Sequence, residues 1–305
     1  MIERSPYFNA FTYVAMAVGA LLVMVPIWVI ITAASQSVQE VNRVPLSLMP
    51  SSHLWDNLNE AWRRADMGPK LWNSLIVSLG VTAGKIALAS ISAFAIVFFD
   101  FRARMACFWV IFITLMLPLE VRIVPTYAIA ANALSPLQTI LDWTGISALV
   151  ELVSGIRISL EWNLLNSYTG LILPLVATAT GTFLYRQFFM TIPEELVEAN
   201  KMDGAGPIRF FFEILLPLSR TNMLALATIM FVSSWNQYLW PLLITTDRAR
   251  YGTVVMQLKS LIPAFNGLPD WNITMAGALI ILLPPLLVVA LMQRWFVRGL
   301  ITRDK

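Results

Sequence analysis

One cysteine and one histidine are all that this 305-residue chain holds of the two most versatile metal ligands. Cys107 alone excludes an intramolecular disulfide and any thiolate-rich metal site. His53 stands in a polar loop and reads as a solvated side chain, so no metal is expected. Charge is scarce too. Asp, Glu, Lys and Arg make up 13% of the chain, about half of the roughly 25% usual in soluble domains, so much of its surface must face something other than water. No basic stripe with interleaved aromatics occurs, and the net charge of +3 gives no argument for a nucleic-acid partner. A Gly-x-x-x-x-Gly-Lys-Ser/Thr nucleotide loop is also missing. The nearest sequence, GVTAGKI at Gly80–Ile86, is one residue short and ends in Ile. The chain is therefore expected to hydrolyse no ATP unaided, to be no enzyme, and to bind no cofactor of its own.

What is abundant is apolar sequence: 58% of the residues, with a mean hydropathy of +0.70. Six runs approach or exceed the roughly 20 residues needed to cross a bilayer, at about 11–33, 71–98, 106–130, 168–189, 217–244 and 272–293. Backbone polar groups in lipid must bond within the segment, so each run is expected to be a helix. The first run resembles a secretory signal in having Arg4 before it and TAAS (Thr32–Ser35) after it. Its apolar stretch is longer than a signal core of about 7–15 residues, which favours an uncleaved first helix. The fold expected is an all-α polytopic membrane protein with six transmembrane helices.

Orientation follows the Lys and Arg residues near the span ends. With both termini in the cytoplasm, the inner segments carry 11 of them and the longer outer loops carry 8. DFRAR (Asp100–Arg104) and the C-terminal QRWFVRGLITRDK give the clearest bias. The outer loop at 131–167 is more than a linker. Leu137, Ile140, Leu141, Ile146, Leu149, Leu152 and Val153 recur at roughly helical spacing, interrupted by Asp142 and Glu151. An amphipathic helix on the outer surface is expected, with a seventh span as the rival reading.

The inner loop at 190–217 is ordered by its punctuation. Pro193 suits the first position inside a helix, where its missing N–H costs nothing, and Glu194 and Glu195 favour the positive end of the helix dipole. Leu196, Ala199 and Asp203 fall on one face, with Glu195, Glu198 and Met202 on a neighbouring one. Gly204 in DGAG can take the positive φ that ends such a helix. Pro207 then restarts a second helix, expected to run through IRFFFEILLPL without interruption into the fifth span. Two readings remain for the loop: an interfacial hairpin that steadies the bundle, or a docking element whose short helix enters a groove on a cytoplasmic partner.

Three further features bear on a solute path. Lys85 and Glu120 lie near the middles of the second and third spans, which run in opposite directions, and Arg122 stands two residues farther on. Buried charge in a membrane is costly unless paired or wetted. Either Lys85 pairs with Glu120 to pin two helices, or Lys85 or Arg122 lines a passage that favours an anionic, phosphate-bearing solute. SSWNQYLW places Trp235, Asn236, Gln237 and Tyr238 together in the fifth span, as a polyol surface or as interhelical hydrogen-bonding groups. Gly80 and Gly84 form a G-x-x-x-G step suited to close helix packing. A secondary transporter would be expected to show internal repeats, and none is convincing. No constellation suited to an intramembrane enzyme stands out.

The inner loop resembles the EAA loop of ABC-importer permeases, Glu-Ala-Ala, three residues, Gly, nine residues, Ile-x-Leu-Pro. Here Glu198-Ala199-Asn200 is followed by Gly204 and then Ile214-Leu215-Leu216-Pro217, with every spacing kept. Asn200 replaces the second alanine. SAFAIVFFDF, FITLMLPLEVRIVPTY, TFLYRQFFMTIPEELVEA, WNQYLWPLLIT and MQRWFVRGL extend the likeness to the MalG-type permease subunits of carbohydrate importers, and within them to those that carry glycerol-3-phosphate. That resemblance implies the type I importer (MetI-like) fold and a place in the bacterial inner membrane. It also implies binding-protein-dependent import of sn-glycerol-3-phosphate or a glycerophosphodiester, with a sugar or polyol as the alternative. A second permease subunit, two ATPase subunits carrying ATP and Mg, and an external substrate-binding protein are the partners it implies. Glu195, Glu198, Ala199, Asp203, Gly204, Ala205 and Pro217 are the coupling residues it implies. In the family, ANAL (Ala131–Leu134) joins LLNSYTGL (Leu164–Leu171) almost directly, whereas about 29 residues intervene here.

Overall fold

A computed structural model of the chain describes residues 6–156, 158–262 and 268–301, without the side chains of 6, 114–116, 119–120 and 294–301. In chain order the principal helices are α1 (Pro6–Ser35), α2 (Leu54–Arg64), α3 (Met67–Phe98), α4 (Arg104–Met116), α5 (Leu119–Ala131), α6 (Ser135–Trp143), α7 (Ile146–Ser154), α8 (Tyr168–Ile172), α9 (Ala179–Phe189), α10 (Glu194–Met202), α11 (Pro207–Leu218), α12 (Arg220–Trp235), α13 (Leu239–Ile244) and α14 (Trp271–Ile301). Among the described residues, three stretches are long and apolar enough to cross a membrane as single helices: Tyr7–Ser35, Met67–Phe98 and Trp271–Gln293. Two more candidates are bent pairs, Tyr168–Leu175 with Ala179–Phe189 at 49° and Pro207–Leu218 with Arg220–Trp235 at 74°.

Those bends correct the expected spans. The third span is two helices meeting at Leu117–Pro118, because proline lacks an N–H and pushes the residue before it out of helical conformation. The second inner-loop helix does not continue straight into the fifth span. Pro217 falls just after a widened π-type turn at Phe211–Leu215, and the chain swings through 74° at Ser219 before α12 begins. Ser219 N–H donates to Leu215 O at 3.0 Å and its hydroxyl to Leu216 O at 3.0 Å, satisfying carbonyls at the bend. The outer loop holds two nine-residue helices in place of one. Gly145, at φ 74°, turns the chain between α6 and α7, and each helix is far too short for a seventh span.

The chain divides into two compact units. One comprises residues 1–71 and 254–284. Its buried polar knot is centred on Asn57, which donates to Ala34 O and Gln36 O at 2.8 Å each and accepts from Asn272 Nδ2 at 2.8 Å. These bonds satisfy carbonyls at the end of α1, where the helix has no partners of its own. Ser37 and Glu40 close a reciprocal cap on the next turn, and the Ser37 backbone N–H holds the Glu40 carboxyl below its ordinary range.

The other unit comprises residues 72–253 and 285–305 and holds two apolar clusters. One gathers Val77, Val81, Leu171, Leu175, Trp240 and Ile244, with Trp240 Nε1 donating to Gly170 O at 3.1 Å. The second gathers Ala89, Ala93, Tyr185, Phe189, Phe210, Phe211, Leu215, Leu226 and Met230, and lies towards the 190–217 loop. The G-x-x-x-G step of α3 fits against the bent α8–α9 segment. A Cβ on Gly80 would come within 2.7 Å of Ile172 Cδ1, and one on Gly84 would collide with Val176. Glycine at both positions is what lets the two backbones approach.

Candidate functional site

The inner loop forms the helix and elbow expected of it. Pro193 stands at the cap with extended backbone (φ −60°, ψ 139°), one position before the first helical residue expected for it; Glu194 and Glu195 occupy the first turn of α10, and Gly204 ends the helix at φ 69°. Gly204 N–H donates to Lys201 O at 3.0 Å and Ala205 N–H to Asn200 O at 3.1 Å, so the last carbonyls are capped. Asn200 also ties the elbow, because its Nδ2 donates to Ala205 O at 3.2 Å.

One face of α10 is seated and the other is open. Val197 packs against the aromatic cluster, and Val197, Asn200, Lys201, Pro207, Phe94 and Phe98 line a small pocket between the loop and the end of α3. Phe98 meets Phe210 edge-on at 5.4 Å between ring centroids, and Phe94 meets Phe211 at 4.9 Å. Glu195, Glu198, Ala199, Asp203 and Gly204 are all exposed, Ala205 and Pro217 half-buried. Exposed Leu196, Met202 and Ile208 add apolar surface to the open side. On α11, Arg209 Nε donates to Glu213 Oε2 at 2.7 Å. The loop is thus a rigid body fixed to the bundle by aromatics, presenting acids, a small residue and a glycine outward.

Asn200→Ala tests the tie at the elbow. The loss of one part-exposed hydrogen bond, about 0.5–1 kcal/mol, is offset by a gain of several tenths of a kcal/mol in helix propensity. A thermal midpoint within about 2 °C of the parent is expected; a fall of more than about 5 °C would show that the Asn200–Ala205 bond carries the elbow.

A second site lies among the helix breaks. A water-accessible cavity of about 590 Å³ is lined by Lys85 from α3, Arg122 from α5, Thr178 and Thr180 at the start of α9, and Ser233 and Gln237 at the end of α12. Three interruptions of helix reach it: Leu117 before Pro118, Ala177–Thr178 before α9, and Gln237 between α12 and α13. Non-helical backbone at membrane depth is tolerated where it lines a cavity, and discontinuous helices are a usual way of exposing backbone groups to a solute. Leu175 of the first apolar cluster and Met230 of the second also line the space, which separates the two.

Of the path residues expected from sequence, Lys85, Arg122 and Gln237 come together on this cavity. Trp235 does not line it: the indole is buried and lies 5.8 Å from Phe231, ring to ring at 29°. Asn236 and Tyr238 stand at the break beside Gln237 but outside the lining. The Glu120 side chain lies outside the described residues, and its expected pairing with Lys85 with it. Sequence reasoning missed Thr178, Thr180 and Ser233, although the polar ATAT step (Ala177–Thr180) after Pro174 was a visible signal. It also missed Val197, Phe94 and Phe98 as the seat of the loop.

The family model of binding-protein-dependent transport system inner membrane components matches residues 85–302. The sn-glycerol-3-phosphate transport system permease protein UgpE of Pectobacterium atrosepticum is 47% identical over the full length of both chains. Its counterpart of the same name in Yersinia enterocolitica is 45% identical, again over both full lengths. Among solved structures, a chain of a bacterial ABC transporter involved in the import of the acidic polysaccharide alginate superposes with a TM-score of 0.72. It does so at 18% identity, covering 97% of this chain and 99% of that one.

Proposed function

The chain belongs to the binding-protein-dependent inner membrane transport components and is a permease subunit of an ABC importer, and we propose that its solute is sn-glycerol-3-phosphate or a related glycerophosphodiester. Relatives that carry that name match it from end to end at 43–47% identity. As an inner-membrane, multi-pass protein it works inside a complex of ABC components. The partners proposed are one further permease subunit, two cytoplasmic ATPase subunits that hold ATP and Mg, and an external binding protein that delivers the solute. The chain itself carries out no chemistry. Six crossings with both termini in the cytoplasm fit the excess of Lys and Arg in the short inner segments.

The observation that carries the mechanism is the seated, glycine-ended α10 with its outward acids and alanine. Closure of the ATPase pair displaces α10 together with α11, since Val197 seats α10 on the aromatic cluster and the Phe98–Phe210 contact holds α11 to the end of α3. The displacement reaches α12 through α11 and the 74° bend at Ser219. A bend of that size turns a push along α11 into a tilt of α12, whose far end is at Gln237 on the cavity. By linkage, a loaded binding protein outside favours ATPase closure inside to the same degree that closure favours docking of the loaded binding protein.

The test is uptake into vesicles that hold the complete complex, with ATP inside and loaded binding protein outside. Accumulation of labelled sn-glycerol-3-phosphate that stops without ATP is expected. Accumulation of a neutral sugar in its place would reassign the solute.

A further inference from the structure

We propose that the cavity at the three helix breaks is a phosphate-binding site on this subunit, holding the phosphate monoester of the solute between Lys85, Arg122 and the start of α9. The inference rests on the glycerol-phosphate reading above and adds to it the place where the anionic group is held.

Charge gives the first argument. Lys85 and Arg122 come from two different helices to one cavity, and among the described residues that line it no carboxylate is present. Neither cation makes an ion pair with any described residue within 4.0 Å. Lys85 is half-buried and Arg122 exposed on the same wall, and like charges sharing one space repel and are costly to desolvate without a counter-charge. A phosphate monoester carries about −1.5 to −2 at neutral pH, enough to offset both. The planar Arg122 fork suits two phosphate oxygens, and the Lys85 ammonium supplies a point charge to a third.

Backbone gives the second. Thr178 occupies the cap position of α9 and makes no side-chain cap bond. The first N–H groups of an 11-residue helix therefore open beside Ala179 and Thr180, which line the cavity. Thr182 is already engaged, its hydroxyl donating to Thr178 O at 3.2 Å. A helix start with free N–H groups and a positive dipole end is suited to an anion, and here it faces the same space as the two cations. At about 590 Å³ the cavity also falls within the 300–1,000 Å³ range of small-molecule sites. Gln237 and Ser233 on the α12 side remain for the hydroxyls of a glycerol moiety. On this arrangement the subunit does more than transmit force. It selects anionic solutes over neutral ones.

The test uses the complete complex in phosphatidylcholine vesicles without ATP, with exposed Cys107 replaced by Ser and Ser92, on the cavity wall but outside the proposed ligand contacts, by Cys. The rate of N-ethylmaleimide labelling at position 92 is read with sn-glycerol-3-phosphate, with glycerol, and with neither. At least threefold slowing by the phosphate ester and none by glycerol is expected. Adding Lys85→Gln or Arg122→Gln should weaken the protecting concentration about tenfold or more, as loss of a charge-assisted bond does. Lys85→Arg should restore most of it. Because the charge-intact protein is compared across ligands, the result does not depend on the folding of the neutral variants. Equal labelling with ester and glycerol overturns the proposal. So does slowed labelling in vesicles containing phosphatidic acid with no solute added, which would give the site to a lipid headgroup. ATP-driven uptake of the ester by the parent complex is measured beside it. Uptake without protection removes this site and leaves the glycerol-phosphate reading standing; absence of both removes the two together.

Discussion

Gly204→Asp is expected to leave the protein inserted and folded while lowering ATP-driven uptake at least about 30-fold. The folded chain can accept the change. Gly204 sits at φ 69°, a conformation that costs most residues about 1–2 kcal/mol but that Asp visits more readily than most. A Cβ added there meets no atom within 4 Å, so there is no clash to relieve. Against a typical folding stability of about 5–15 kcal/mol, the loss is tolerable. The same open space is what makes the substitution damaging in the complex. Gly204 follows exposed Asp203 in a loop that also exposes Glu198 and Ala199. An added carboxylate there enters the proposed ATPase contact with a charge that has no partner, a penalty of about 2–5 kcal/mol. Membrane-inserted yield and thermal midpoint check the first half, and solute-stimulated ATPase activity with uptake checks the second. Gly204→Asn, similar in size and equally tolerant of positive φ, separates bulk from charge. Full ATP-dependent uptake in Gly204→Asp would end the case for the loop as the force-receiving element.

That loop was legible because its signals are local. Pro193, the paired acids, Gly204 and Pro207 each act on the backbone within a turn of themselves, and the observed bounds of α10 fall where those residues put them. The cavity was legible only in part. Lys85 and Arg122 stand out as charges in apolar runs, but nothing near them in sequence says that α9 begins beside them. The ends of α4 and α12 depend on local breakers acting together with packing from distant helices. Pro118 and Pro217 were in view, yet a hydropathy window averages over a proline, so both broken segments read as straight spans. Trp235 shows the opposite error. Its neighbours Asn236 and Gln237 suggested a shared polar surface, whereas the end of α12 turns the indole into the bundle against Phe231 and leaves Gln237 to the cavity. In the outer loop the apolar spacing was read correctly but across Gly145, whose positive φ makes two helices of one.

Gly84→Leu carries the largest expected cost to the fold itself. Gly80 and Gly84 lie one turn apart on α3 and face the segment where α8 gives way to α9. The two positions differ in how hard the wall is. At Gly80 the nearest atom to an added Cβ is Ile172 Cδ1 at 2.7 Å, the tip of a flexible side chain that can swing aside. At Gly84 the added Cβ would meet Val176 Cγ1 and lie 3.0 Å from Val176 Cβ, which is fixed to the backbone. A leucine at Gly84 can be accommodated only by moving α3 away from Val176, and overpacking of this kind costs about 1–3 kcal/mol or more. The displacement would also shift Lys85, the next residue, and Thr178, two residues beyond Val176, both of which line the cavity. Lower inserted yield and a thermal midpoint several degrees below the parent are expected, with uptake lost. Size can be distinguished from any other role of the glycine by a paired substitution. Val176→Ala removes both Cγ atoms and leaves only the 3.0 Å contact to Cβ, so Gly84→Ala combined with Val176→Ala should be more stable than the two single effects predict. Coupling of about 1 kcal/mol would mark the pair as neighbours in direct contact. A parental midpoint and yield in Gly84→Leu would show that α3 does not depend on this close approach.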